Sequence, residues 1–333
     1  MHNKLIKNLR DIILKNYKIK NTSFILLLYD NECNVSKIIS DGYKEAIKEY
    51  KNEIINFNEN LEKDILEKFS KLPEKSLVIL VESNSFRITK HRLRIDLFNL
   101  GHQVIEHSHL SFIKEDQINN YISSLEYKTP NYIKMCEKIK KLLNQKTTII
   151  YESENNLKLI IDSEYENPIT NTGDFTNQTT ASSGFPIGEI FTEAKELNSI
   201  NGDILVFGFP VEHKILWAKP FKVTIKNGFL ESHEGPKEFE DILNMIKNYE
   251  GNKVQIREIG FGLNEAIGFN NKLDEPIAFE RFAGAHFSLG LKHAMYRKKI
   301  SKKINQKYHI DIFCNVKTIT IGKTKIFENG VYQ

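Results

Sequence analysis

A histidine and an aspartate two residues apart, His309 and Asp311, lie near the end of the chain in the segment HIDIFC. In a β-strand, residues i and i+2 point to the same face, so these two side chains are predicted to flank one cation. His286, in the upstream segment AGAHFSLG, supplies a second imidazole. Two imidazoles and a carboxylate suit Zn, Fe, Co or Mn better than Mg or Ca. Strand alternation places Cys314 on the opposite face, so it is not expected to be a ligand.

Two glutamates in glycine-rich surroundings could complete such a site. Glu189 leaves a Gly/Pro turn in GFPIGEIFTEA, where the start of a strand would hold its carboxylate rigidly. Taken alone, it also fits a surface glutamate beside a turn. Glu258 ends an alternating strand in KVQIREIGFGLNEAIG, and Gly260 and Gly262 allow another part of the chain to pass close by.

The first half of the chain predicts a layered α/β domain over residues 1–150. Apolar runs at residues 23–30, 76–83, 102–107 and 147–153 predict buried strands. Helical patterns occupy residues 4–17, 43–57, 61–72, 88–101 and 131–144. Alternation of strands and helices favours a parallel sheet. We interpret His107 and His109 in GHQVIEHSH as structural, because no acidic or cysteine partner stands at ligand spacing.

The second half predicts a β-rich α+β domain over residues 151–333 that carries the metal site. A strand at residues 157–164 precedes a long polar loop at 167–183. Alternating segments at 202–232, with Asn-Gly at 227–228, predict a hairpin. A helix is expected at 239–249 and a terminal hairpin at 318–330. The basic run at 296–303 predicts a solvated loop, or a cationic lip that holds a substrate carboxylate.

Composition excludes several classes of protein. The net charge is only +4 over 333 residues, and we find no RNP-like strand, finger spacing or basic face, so no nucleic-acid partner is expected. No strand is followed by GxGxxG or GxxxxGK[ST], so neither common nucleotide site is supported. No apolar stretch approaches the ~18 residues of a membrane span. The N-terminus favours an amphipathic helix over a signal peptide. Three distant cysteines indicate a reducing compartment, and we expect a cytoplasmic protein.

Four segments, taken together, resemble the M29 metallopeptidases, the aminopeptidase T/S/PepS family. They are PIGEIFT, EIGFGLN, GAHFSLG and HID followed by a terminal hairpin, and the resemblance is specific over residues 157–330. The resemblance implies a dinuclear centre of two divalent ions (Zn, Co or Mn), with the ligands Glu189, Glu258, His286, His309 and Asp311. It also implies an aminopeptidase or amidase in which a metal-bound hydroxide attacks small peptide or amide substrates. We expect Glu258 to bridge the ions, and the family implies a homodimer.

The chain departs from this family in two respects. It is shorter than the usual peptidases, which predicts a reduced first domain. The family commonly has a transition-state-stabilising Tyr where this chain has His293, and Tyr296 follows three residues later. We therefore expect His293 or Tyr296, with Glu258, to act in catalysis.

Two alternatives remain open. One is an inactive homologue that binds peptides or a partner protein.

The other alternative is an oxygenase. The chain also resembles the shorter 2,5-dihydroxypyridine dioxygenases, which share the scaffold and hold one iron on two histidines and an aspartate. The matching residues would be His286, His309 and Asp311, as in a facial triad binding Fe(II). One Fe(II) would leave Glu189 and Glu258 unneutralised near each other, and this favours the two-metal interpretation.

Overall fold

A computed structural model describes residues 1–59, 62–88, 92–178, 180–299 and 307–333. The α-helices in these residues are α1 His2–Asp11, α2 Asn34–Ile47, α3 Glu62–Ser70, α4 Leu93–Asn99, α5 Ile118–Ser124, α6 Thr129–Leu142, α7 Lys237–Lys247 and α8 Pro276–Phe279. A π-helical turn, Ile12–Asn16, continues α1. Residue 61 of the predicted helix 61–72, residues 89–91 of helix 88–101, residue 179 of the polar loop and residues 300–303 of the basic run lie outside the described residues.

The strands form two sheets. In chain order they are β1 Phe24–Tyr29, β2 Lys51–Asn56, β3 Leu77–Val81, β4 Gln103–His107, β5 Thr147–Glu152, β6 Lys158–Ser163, β7 Ile169–Asn171, β8 Ser182–Gly184, β9 Glu189–Glu193, β10 Ile200–Val211, β11 Lys214–Lys226, β12 Phe229–His233, β13 Ile256–Gly262, β14 Gly284–Gly290, β15 His309–Cys314, β16 Thr318–Ile321, β17 Thr324–Glu328 and β18 Val331–Tyr332. The chain divides into two compact units, each built from separate segments.

The first unit contains a five-stranded parallel sheet. It comprises Met1–Thr129, Gly173–Ile187 and Leu273–Ala278. Its strand order is β2-β1-β3-β4-β8, and every pairing is parallel. Strands β1 and β3 are continuous apolar runs, and LVILV in β3 is buried at all five positions. Such runs are typical of parallel strands covered on both faces, which confirms the predicted layered α/β fold.

The prediction of a helix over residues 43–57 is correct only for residues 43–47. Helix α2 starts nine residues earlier, at Asn34, and ends at Ile47, and β2 follows as the edge strand beside β1. Only Ile55 of β2 is buried, so its sequence KNEIIN lacks the apolar run that marks a central strand. Its polar residues fit the helical period, and the pairing with β1 decides its conformation.

The second unit is antiparallel and carries a curled half-barrel. It comprises Pro130–Thr172, Gly188–Lys272 and Phe279–Gln333. The strand order is β18-β17-β16-β5-β6-β10-β15-β14-β13-β9-β7, and β11 and β12 extend from β10. The predicted hairpin at Asn-Gly 227–228 joins β11 to β12 as expected. Fully buried aromatic side chains fill its core: Tyr151, Phe207, Phe209, Phe239, Phe261, Phe279, Phe287, Phe313 and Phe327.

Two predicted elements join a different sheet from the one expected. The strand at 147–153 was predicted in the parallel sheet, but β5 pairs antiparallel with β6 and β16 in the second unit. The polar loop at 167–183 contains β7 and β8, and β8 completes the parallel sheet beside β4. Among the described residues, none of the helices is long and apolar enough to cross a membrane.

Candidate metal centre

Four neighbouring strands of the half-barrel bring together the five residues that the sequence singled out. Their order is β15-β14-β13-β9. Directly paired residues of antiparallel strands point to the same face. Glu189 pairs with Gly262, and Asp311 pairs with Ser288. Counting in twos along each strand places all five side chains on one face: Glu189 on β9, Glu258 on β13, His286 on β14, and His309 and Asp311 on β15.

His286 lies between two carboxylates. Its Nε2 is 3.2 Å from Glu189 Oε1 and 3.5 Å from Glu258 Oε1. The residue is completely buried, and neither ring nitrogen makes a hydrogen bond of good geometry within the described residues. Buried polar atoms are normally satisfied, so these orphaned atoms indicate a missing partner. The donor atoms of the three residues lie within 4.8 Å of one another and could hold a metal ion.

A second group of three donors adjoins the first. His309 Nε2 is 3.3 Å from Asp311 Oδ1 and 4.0 Å from Glu258 Oε2. Glu258 Oε2 and Asp311 Oδ1 are buried without a hydrogen-bond partner in the described residues. These three residues form the other group within 4.8 Å. Glu258 thus belongs to both groups, with one oxygen towards each histidine, and this fits a carboxylate shared by two cations.

Two glycines of β13 make room for this arrangement. A Cβ on Gly260 would lie 2.0 Å from Nε2 of His286, so the imidazole lies directly over the glycine. A Cβ on Gly262 would lie 2.1 Å from the carbonyl oxygen of Phe282 and 2.8 Å from that of Glu280. The close approach expected at EIGFG therefore involves the His286 imidazole at Gly260 and the backbone before β14 at Gly262.

That backbone delivers a buried arginine to the site. Arg281 Nη1 lies 2.6 Å from Glu189 Oε2 and 2.8 Å from Glu280 Oε2. The Arg281 carbonyl oxygen accepts a 2.8 Å hydrogen bond from the N–H of Asn264. Arg281 is only 8% exposed, so its charge acts at short range with little screening by water. The sequence pattern does not reveal Arg281 and Glu280 as site residues, because adjacent charges before a strand are typical of a solvated surface.

A further ionic group lies on the same face. Glu193 pairs with Glu258 across β9 and β13, and its Oε1 lies 3.3 Å from both Arg257 Nη1 and Lys292 Nζ. Glu193 is 1% exposed. A buried carboxylate needs such partners, and Arg257 and Lys292 provide them for Glu193. Sequence alternation along EIFTE could have placed Glu193 on the face of Glu189, but it gave no reason to look for partners.

The electrostatics of the site follow from its crowded charges. Burial alone would lower the pKa of His286, but the Glu189 and Glu258 carboxylates raise it to about 10. Burial would likewise lower the pKa of His309, and Asp311 and Glu258 raise it to about 10. Burial raises the pKa of Glu258, and the nearby Asp311 and Glu189 carboxylates add to this.

The pKa of Asp311 is shifted in the opposite direction from that of Glu258, and the pKa values of Glu189 and Glu280 also differ in direction. Burial would raise the pKa of Asp311, but the His309 and His286 imidazolium charges lower it to about 2. For Glu189, burial opposes ionisation, but Arg281 and then His286 lower its pKa below the usual value. Burial raises the pKa of Glu280 well above its ordinary range. The pKa values of neighbouring carboxyl groups in this cluster are therefore shifted in opposite directions, and such shifts are common at functional sites.

The histidine pKa values predict how the stability of the chelator-treated protein depends on pH. Both values lie above the unfolded value of about 6.5, so protonation stabilises the folded state fully below that pH. This contribution is lost as pH rises towards 10. We expect the melting temperature, measured by scanning calorimetry in EDTA, to fall from pH 7 to pH 10. His309→Gln removes one of the groups and should flatten this fall. An equally steep fall in the variant would contradict the assignment.

The two candidate catalytic residues, His293 and Tyr296, lie in different environments. The ring of His293 lies 5.8 Å from that of His309, between centroids, and its Nδ1 accepts a hydrogen bond from the N–H of Met295. A neutral His293 therefore carries its proton on Nε2. Tyr296 is buried within a 3₁₀-helix, Ala294–Lys299, and its hydroxyl donates to the carbonyl oxygen of Asn167 at 2.8 Å. The described part of the basic run, residues 296–299, is thus helical and not a loop.

The histidine pair of the first unit has a structural environment, as interpreted from sequence. His107 is buried, and its Nε2 and Nδ1 lie 2.8 Å from the hydroxyls of Tyr43 and Tyr121. Burial lowers the pKa of His107 to about 3. The imidazole is therefore neutral and satisfied on both sides by the tyrosines. His109 is in the left-handed region, with φ 55°.

Comparison with solved structures identifies the fold. The chain matches 2,5-dihydroxypyridine dioxygenase from Pseudomonas putida KT2440 with 14% identity and a TM-score of 0.62, over 100% of this chain and 98% of that one. It matches wild-type AmpT from Thermus thermophilus with 10% identity and a TM-score of 0.61, over 99% of each chain. No protein-family model matches, and no curated protein matches significantly.

At this level of identity the comparisons show the fold, and the activities remain those of the two solved enzymes. AmpT carries the name of the aminopeptidase T group that the four segments resemble, and the dioxygenase shares its fold. Both scaffolds expected from the sequence are therefore confirmed as structural relatives. Because the matches cover nearly the whole of each solved chain, the expected shortening does not correspond to a missing domain.

Proposed function

We propose that this chain is a dinuclear-metal hydrolase, an aminopeptidase or amidase that releases N-terminal residues from small peptides. One observation carries the proposal: Glu258 is common to both donor groups, with Oε1 towards His286 and Oε2 towards His309. A shared carboxylate is what two closely spaced divalent ions require. When bound, two Zn, Co or Mn ions supply a hydroxide nucleophile at neutral pH and polarise a carbonyl group.

The residues divide the work of holding the ions. Glu189 and His286 would hold one ion, and His309 and Asp311 would hold the other. The Nδ1 of His309 lies 2.9 Å from the carbonyl oxygen of Leu291. A proton on Nδ1 is donated to that carbonyl, which leaves Nε2 as the ligand atom and fixes the orientation of the ring.

His293 is proposed as the substrate-orienting donor. Its ring lies 5.8 Å from that of His309, between centroids. This position beside the candidate metal ligands suits a side chain that orients the substrate carbonyl group, the role that the resembled family gives to a tyrosine. Tyr296 is less suited to this role, because its hydroxyl is donated to Asn167.

One observation favours a second candidate, a mononuclear iron ring-cleaving dioxygenase. Arg281 neutralises Glu189 directly, at 2.6 Å, so one ion would not leave two uncompensated glutamates. This removes the charge argument against a single Fe(II). Against it, neither donor group of the described residues contains both histidines. The two-His, one-Asp triad would need side-chain rearrangement, whereas the Glu258-centred groups are already formed.

Removing the Glu189 carboxylate separates the two candidates. Glu189→Ala removes a ligand of one ion, so we expect turnover of amino-acid amides by the metal-reconstituted protein to fall by more than about 100-fold. The fold should persist, as judged by circular dichroism. Glu189→Gln, which preserves side-chain volume beside Arg281, should behave in the same way. Glu164→Ala alters an exposed ion pair with Lys195 and serves as the control.

The outcomes are distinct. Full amidase turnover in both Glu189 variants would refute the hydrolase. Oxygen consumption with a dihydroxylated aromatic substrate, indifferent to Glu189, would establish the dioxygenase. A wild-type protein that binds no divalent ion and turns over neither substrate class would support the inactive, peptide-binding homologue.

A further inference from the structure

Arg281 introduces an asymmetry between the two donor groups. Its Nη1 bonds to Oε2 of Glu189, whose other oxygen, Oε1, faces His286. The carboxylate that should attract a cation to this group therefore already shares its charge with a guanidinium. The other group consists of Glu258, His309 and Asp311. Among the described ion pairs, none joins an arginine or lysine to any of these three side chains.

The guanidinium is fixed in place. Glu280 holds Nη1 from the other side at 2.8 Å. The Asn264 N–H bonds to the Arg281 carbonyl oxygen at 2.8 Å, and Gly262 packs against the same backbone. Arginine remains charged at any pH at which the protein is folded. The guanidinium is therefore buried and paired with two carboxylates, and its backbone is fixed, which opposes its movement into solvent when a divalent ion arrives.

We infer that Arg281 makes the Glu189–His286 end the weaker of two cation sites. A first divalent ion binds at Glu258, His309 and Asp311, and the second binds at Glu189 and His286 only at higher concentration. This inference rests on the proposed metal centre, and it adds the order of filling. Repulsion between a guanidinium and a divalent ion within one buried carboxylate cluster weakens binding of that ion strongly, because the surrounding dielectric constant is low.

The test is calorimetric titration of the chelator-stripped full chain with Mn²⁺, with the ion count checked by native mass spectrometry. The wild type should show two steps whose dissociation constants differ by about 100-fold or more. Arg281→Met removes the charge at similar length and should bring the two constants within about tenfold. Arg281→Lys retains the charge and should keep two separate steps. Arg257→Met, which removes the buried arginine that pairs with Glu193, should also keep them.

Three results would overturn the inference while leaving the metal centre intact. They are equal affinity for both ions in the wild type, an unchanged ratio in Arg281→Met, and a ratio that collapses equally in Arg257→Met. Absence of ion binding in the wild type would overturn the inference and the proposed function together. Glu280→Gln with Arg281→Gln replaces the buried charge pair by neutral amides. This double variant gives the same comparison if Arg281→Met does not fold.

Discussion

Glu258→Gln should abolish binding of both metal ions and the activity that depends on them. Every other proposed ligand serves one ion, whereas Glu258 faces His286 and His309 at once. The amide keeps the size of the side chain but loses its charge and one acceptor oxygen. We expect the affinity for each ion to fall by more than about 100-fold, the upper end of the cost of losing a supporting partner. Isothermal titration with Zn²⁺ or Mn²⁺ measures this directly.

The fold of Glu258→Gln should survive. The pKa of Glu258 is raised by burial and by Asp311 and Glu189, so ionisation of this carboxyl group destabilises the folded state relative to the unfolded chain. The chelator-treated variant should therefore be at least as stable as the wild type. Glu193→Gln is the matched control, since Glu193 is its cross-strand neighbour on the same face. It should lose less than about tenfold in ion affinity. Loss of one ion only in Glu258→Gln would show that the residue is not shared.

Gly260→Ala should disrupt the site through one added methyl group. The new Cβ would lie 2.0 Å from His286 Nε2, far inside van der Waals contact. His286 is completely buried, with Phe313 on one side of its ring, so the imidazole has little room to retreat. Overpacking of this kind costs about 1–3 kcal/mol of stability. We expect that loss in denaturant unfolding, with weaker ion binding at the Glu189–His286 end.

Gly268→Ala provides the matched comparison. A Cβ at Gly268 would meet nothing within 4 Å, so the same substitution eight residues later should change stability by less than about 0.5 kcal/mol. Ion affinity should be unchanged in this variant. Wild-type ion binding and stability in Gly260→Ala would show that His286 does not occupy the position over the glycine.

Residue spacing predicted much of the site because strand alternation is a local rule. His309 and Asp311 do share a face, and Cys314 is buried on β15 outside both donor groups. The expectation that the EIGFG glycines admit a close approach is confirmed at Gly260 and Gly262. Which strands become neighbours is a non-local property. The proximity of Glu189 to His286 could therefore be expected only from the resemblance to a known family.

Arg281 and β2 show where sequence patterns lose information. Arg281 follows another charged residue in a short segment, and its burial depends on Gly262 and Asn264, which are distant in sequence. The pattern of β2 is ambiguous because an edge strand buries little. The β5 run is apolar in the same way as β3, and only its pairing with β6 and β16 shows that it belongs to the antiparallel sheet.

The central claim is that two cation sites share Glu258, and anomalous diffraction tests it most directly. Crystals soaked in excess Mn²⁺ or Zn²⁺ would be measured on both sides of the metal absorption edge. We expect one anomalous peak among Glu258, His309 and Asp311, and a second among Glu189, Glu258 and His286, separated by about 3.5–4 Å. A single peak ligated by both histidines and Asp311, or no peak on this face, would contradict the account.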